Sequence, residues 1–213
     1  QVADARSRLE QRVVEAMSQT VEAVPARPHP KGLLPALSLF MLSSHAYALE
    51  VAGVSLPPTI SAGQGILTLN GAGVRKKFLV KVYVGALYAE RKVASADELM
   101  RDPGEKLVRM CFVYKKVERE KIVEGFAEGL ERNAPDVANS ADAKAFLSWF
   151  TRDFVAGDTV DIGFSPDGTV RVSQNGQVLG ALRNPALARG VLGIWFGEKP
   201  ADGALKKGML GQG

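Results

Sequence analysis

The chain has 213 residues, 46% of them apolar and 23% charged, which is the composition of a globular protein with room for one ordinary domain and some additional chain. The formal net charge of +4 comes from positives interleaved with acids, so no basic stripe argues for nucleic acid. The single cysteine, Cys111, excludes an internal disulfide framework, and two histidines, His29 and His45, make no metal-ligand spacing with it.

Residues 1–24 read as a charged amphipathic helix, with Leu9, Val13, Val14, Met17 and Val21 at helical spacing. Residues 26–48 follow the order of a secretory leader. Arg27 and Lys31 form a basic flank, 33–42 is a short apolar run, and Ala46-Tyr47-Ala48 is a small-x-small cleavage site. The run is about half the length of a membrane span, and Pro35 interrupts it. The expectation is therefore a leader extension over 1–25 that is disordered or loosely packed, a signal peptide over 26–48, cleavage after Ala48, and an exported, periplasmic domain over 49–213. Both histidines precede that domain, so nothing remains to activate Cys111 as a nucleophile.

Within the domain, 51–60 is a short strand broken by Pro57-Pro58, and 65–69 is the next strand. Residues 69–90 organise the rest. Asn70-Gly71-Ala72-Gly73 reads as a tight reversal, and the Val-, Leu- and Tyr-rich run 78–89 as a long buried strand. Ser95 caps a short helix ending near Arg101, and 106–114 is a strand. Two helices follow, over 118–133 and 140–154. Ile122, Val123, Phe126, Ala127 and Leu130 share one face of the first, and Phe146, Leu147, Phe150 and Phe154 one face of the second. Such stripes should cover a sheet. Strands at 159–164, 169–173 and 177–182 are joined by Ser165-Pro166-Asp167-Gly168 and Asn175-Gly176, both hairpin turns. A helix from Asn184-Pro185 to about Ile194 and a short one after Pro200-Ala201-Asp202 complete the chain. Strands, helices, strands, helices in that order give an α+β layered fold.

The stretch Gly71-Ala72-Gly73-Val74-Arg75, followed by Lys81, Tyr88 and Glu90, resembles the strand pair of the chalcone isomerase family. Arg183-Asn184, Leu187, Val191-Leu192, Gly197 and Ala204 fit the C-terminal frame of the same family. The resemblance implies an open-faced antiparallel β-sheet with helices packed on one face and a pocket between the two layers.

In that family an arginine holds a phenolate or developing enolate while hydroxyls polarise a ketone. Arg75 matches the arginine, and the family's strand threonine falls at Tyr83. The family's Tyr and Lys positions fall near Tyr114 and Lys116, but not both in one register. The family's polar pair before the last glycine falls on Ile194-Trp195, which loses a polar group. A pocket without most of its positioning groups suits binding better than catalysis. The fatty-acid-binding relatives of the fold imply instead that Arg75, with Tyr83 or Tyr114, holds a carboxylate at the end of an apolar cavity.

The preferred expectation is thus a carrier or sensor of a small amphipathic anion such as a fatty acid. Its site residues are Arg75, Tyr83, Tyr114, Lys116, Ile194 and Trp195. The expectation includes no metal, no cofactor, no nucleic acid and no membrane span in the domain. The alternatives are an intramolecular lyase of the chalcone-flavanone type using Arg75, Tyr83 and Tyr114, a tetrapyrrole binder, and a partner-binding domain with a collapsed pocket.

Overall fold

The computed structural model describes residues 48–63 and 65–213. The leader expectations over 1–25 and 26–47 lie outside the described residues. Three short strands open the domain, β1 (Leu49–Val51), β2 (Val54–Leu56) and β3 (Thr59–Ala62). They are followed by the long pair β4 (Gly65–Lys77) and β5 (Val80–Ala89), helix α1 (Ala96–Arg101) and strand β6 (Lys106–Phe112). Next come β7 (Lys116–Val117), α2 (Arg119–Asn133), α3 (Pro135–Ala138), α4 (Ala141–Ser148) and β8 (Phe154–Val155). The meander β9 (Thr159–Phe164), β10 (Thr169–Gln174) and β11 (Gln177–Arg183) precedes α5 (Pro185–Phe196) and α6 (Gly203–Met209).

Seven strands form one sheet in the order β11-β10-β9-β6-β5-β4-β3, with every neighbour antiparallel. Alternation along the central strands divides the side chains between two cores. On one face, Tyr83 and Leu87 of β5 and Val108, Met110 and Phe112 of β6 meet the helices. On the other, Val84, Ala86 and Tyr88 meet Leu56 of the β1–β2 hairpin. The helices therefore lie on one face, as expected, and a short hairpin covers part of the other. Cys111 is half-buried on this second face, where burial pushes its thiol up.

Aromatic packing ties the helices to the sheet. Phe112 stacks on Phe154 with centroids 4.5 Å apart, and Phe126 meets Phe150 at 5.2 Å and Trp195 at 5.7 Å, both edge-on. Such pairs contribute about 0.5–1.5 kcal/mol each beyond their buried area. Helix α5 is buried along most of its length, so it is the central helix of the layer.

Three local expectations change. The Asn70–Gly73 segment is not a turn: β4 continues through it, and the chain reverses at Phe78-Leu79 instead. The glycines are there because α6 lies directly on the strand. A Cβ on Gly71 would stand 2.3 Å from the Gly208 carbonyl oxygen, and one on Gly208 would stand 2.5 Å from that of Ala72. Asn70 sits at a bulge, buried, where its amide donates to the carbonyls of Val93 and Met209, both at 3.0 Å.

The expected helix over 140–154 stops at Ser148. Asp153 is drawn away to accept the Arg119 N–H at 2.9 Å, capping α2, and Phe154 pairs with Val117 across β7–β8. The segment read as one strand over 51–60 is a hairpin turning at Ala52-Gly53, both at positive φ, followed by β3.

Candidate functional site

Helix α6 occupies the sheet face over Gly71 and Gly73 and ends its N-terminus at Asp202. Beyond that end the β4–β5 pair continues without a helix on it. Arg75 and Tyr83 face each other there in register, so both side chains project to the helix side. Helix α2 forms the opposite wall. Between them lies a cavity of about 630 Å³, within the roughly 300–1,000 Å³ of small-molecule sites. Its inner lining is apolar, with Met110, Ile122, Phe126 and Ile194 buried. Its rim carries exposed charges of both signs, among them Lys77, Glu118, Lys121 and Glu128.

Tyr83 is 5% exposed, and its hydroxyl accepts from Trp195 Nε1 at 3.1 Å. Burial pushes this hydroxyl up to about 12, against smaller opposing pulls from Trp195 and the Arg75 charge. The group is therefore a neutral donor at any ordinary pH. With Trp195 supplying its incoming hydrogen bond, its own proton is available to an acceptor in the cavity.

Arg75 is a part-buried cation at the same wall. Its Nη1 donates to the Lys76 carbonyl and stands 3.5 Å from Asp202 Oδ2, a loose ion pair. Among the described residues Nη1 alone of the guanidinium is engaged, which leaves Nε and Nη2 for an anion. Asp202 spends its other oxygen on the helix, accepting from Ala204 N at 2.9 Å and Leu205 N at 3.1 Å.

The remaining expected residues separate. Ile194 lines the inner cavity, with Arg75 and Tyr83. Trp195 stands behind the wall, 1% exposed, and reaches the cavity only through its bond to Tyr83. Tyr114 lies at the mouth, 46% exposed. Lys116 is also at the mouth and is paired to Asp153 at 2.9 Å, a bond that holds its ammonium above the usual lysine range. Tyr88 points to the other face, where its hydroxyl donates to the Pro57 carbonyl at 3.0 Å.

Reasoning from sequence missed Asp202 and Gly125. The Pro-Ala-Asp signal marks a helix start but not its placement beside Arg75. Gly125 lines the cavity from α2, and a Cβ there would meet nothing within 4 Å. Among the described residues no group of three or more His, Cys, Asp or Glu could hold a metal ion.

A family model described as chalcone isomerase-like matches residues 48–211. The chain belongs to the chalcone isomerase-like family. It is similar to fatty-acid-binding protein 1 of Arabidopsis thaliana, at 23% identity over 189 residues, covering 74% of this chain and 67% of the relative. The crystal structure of an Arabidopsis thaliana fatty-acid binding protein superposes with a TM-score of 0.56 at 22% identity, over 74% of this chain and 92% of that one. This likeness confirms the α+β fold, an antiparallel sheet with helices packed against it. The family match spans the site: Arg75, Tyr83, Gly125, Trp195 and Asp202 all lie inside it.

Proposed function

We propose that this protein binds a fatty acid or a similar amphipathic carboxylate, with the headgroup at Arg75 and Tyr83 and the chain along the apolar cavity. The observation that carries the reading is the pairing of these two residues, a cation and a buried neutral donor, at one wall of a cavity whose buried inner lining includes Met110, Ile122, Phe126 and Ile194 and whose rim carries charges of both signs. A carboxylate accepts two or more charge-assisted bonds in such a place, and an acyl chain asks only for apolar surface. The likeness to fatty-acid-binding proteins of the same fold supports the same ligand class. Tyr114 and Lys116 border the entrance and contribute less, because one is half in solvent and the other is held by Asp153.

The test is titration of the full chain with a long-chain fatty acid, by calorimetry or by displacement of a fluorescent acyl probe, with Arg75→Ala alongside. The variant should keep its thermal midpoint, since Arg75 makes only a loose ion pair, and lose about tenfold or more in affinity. Undiminished affinity in the variant overturns the reading.

The export reading rests on the sequence order of Arg27 and Lys31, the apolar run 33–42, and Ala46-Tyr47-Ala48. It predicts that protein recovered from a periplasmic fraction begins at Leu49, which intact mass measures directly. An uncleaved mass removes it.

A further inference from the structure

The β4–β5 hairpin ends in a tip whose composition does nothing for the fold. Phe78 and Leu79 are 92% and 98% exposed, the two most exposed large apolar side chains among the described residues. They are adjacent, and they occupy the two turn positions between Lys77 and Val80. Phe78 has φ +56°, a conformation in which a bulky residue is disfavoured and glycine or asparagine is the ordinary choice. A turn selected for stability alone would not hold phenylalanine there.

The charges that the hairpin itself carries are of one sign, while Asp202 at the start of α6 approaches its base, with Oδ2 3.3 Å from the Lys76 amide. Lys76, Lys77 and Lys81 are exposed on the flanks of the tip, and no Asp or Glu occurs in sequence between Glu50 and Glu90. Beside the hairpin, Tyr114, whose N–H donates to the Val82 carbonyl of β5 at 3.3 Å, stands exposed with Lys115, while the neighbouring Lys116 is paired to Asp153. Phe78 and Tyr114 both border that mouth. The acids of the rim, Glu118, Glu124 and Glu128, are carried by α2 and its start, on the opposite wall from the hairpin.

We propose that the hairpin tip docks on an anionic lipid bilayer, with Phe78 and Leu79 entering the headgroup-acyl boundary and Lys76, Lys77 and Lys81 meeting lipid phosphates. An apolar pair ringed by lysines matches the layered chemistry of that surface, where apolar side chains go below the phosphates and cations stay among them. A tyrosine at the edge of the patch suits the interface for the same reason. Two side chains make too small a contact for a specific protein interface, which buries well over 1,000 Å² on the order of known complexes. Docked this way, the mouth of the cavity opens onto the membrane, where an amphipathic anion resides.

The experiment is co-sedimentation of the full chain, without fatty acid, with vesicles of phosphatidylcholine alone and of phosphatidylcholine containing phosphatidylglycerol. Binding to the anionic vesicles should exceed binding to the neutral ones by about tenfold or more and should fall with salt. The double variant Phe78→Gly, Leu79→Ser relieves the positive φ and so keeps the fold, and it should lose most vesicle binding. Lys76→Glu with Lys77→Glu should abolish the preference for anionic lipid. Wild-type protein that ignores anionic vesicles, or a tip variant that binds them equally, overturns the proposal, as does capture by an acidic protein surface with vesicles left unbound. Gly125→Leu, which fills the cavity without touching the tip, should leave vesicle binding unchanged, so failure here and failure of the fatty-acid reading are distinguishable.

Discussion

Trp195 Nε1 donates to the Tyr83 hydroxyl at 3.1 Å, joining the central helix α5 to the sheet directly behind the cavity wall. The bond fixes which way the hydroxyl can donate. Tyr83→Phe removes that donor and orphans a buried indole N–H. We expect a loss of about tenfold in carboxylate affinity, and a loss of stability of about 1–3 kcal/mol from the unsatisfied group. Fatty-acid titration and urea unfolding read the two separately. Full affinity in a destabilised variant would make the pair a structural strut and not part of the site.

The same residue sets an alkaline limit. Its hydroxyl is raised to about 12 by burial, against an ordinary value near 10. Below pH 10 it is protonated in the folded and unfolded chain alike, and its contribution is fully present. Between pH 10 and 12 the unfolded chain ionises while the folded one resists, so stability falls with rising pH, by about 2–3 kcal/mol from this group. Tyr88, pushed up to about 12 chiefly by burial, adds a decline of the same sign. Urea midpoints measured across this window should fall less steeply in Tyr83→Phe than in the wild type.

Much of the architecture was legible because its signals are local. Asn175-Gly176 and Ser165-Pro166-Asp167-Gly168 turn the chain where those residues demand it, with Asn175, Gly176 and Gly168 all at positive φ. The Asn70–Gly73 segment misled because its glycines serve a close approach made by residues 203–209, far away in sequence. The true reversal at Phe78-Leu79 carries no turn chemistry at all. In the site, Arg75 and Tyr83 were legible through the family motif, and their register across β4–β5 brings them together. Tyr114 does line the cavity, at its mouth, but Trp195 stands behind the wall, a distinction that sequence does not make. Asp202 and Gly125 matter through position, which only the packed layers define.

Gly125 offers a way to close the cavity without weakening the protein. It sits mid-helix in α2, where glycine costs about 1 kcal/mol relative to alanine, and open space faces it. Gly125→Leu should leave the thermal midpoint unchanged or raise it while reducing fatty-acid affinity, most for the longest chains. Normal binding with an intact fold would place the acyl chain elsewhere.

Asp202 competes with any anionic ligand for Arg75. Its Oδ2 is 3.5 Å from Nη1 and 3.3 Å from the Lys76 amide, while its Oδ1 caps α6 through Ala204 and Leu205. Asparagine caps helices about as well as aspartate, so Asp202→Asn should cost little stability. It removes a negative charge beside the guanidinium, which raises the local potential for a carboxylate. Because the pair is part-exposed, the gain is screened, and a rise of about two- to fivefold in affinity is the scale to expect, shrinking as salt is added. Titration at two ionic strengths measures both. A fall in affinity would mean that Asp202 orients Arg75 for the ligand and does not contest it, and the headgroup would then have to approach Nε and Nη2 with the ion pair kept intact.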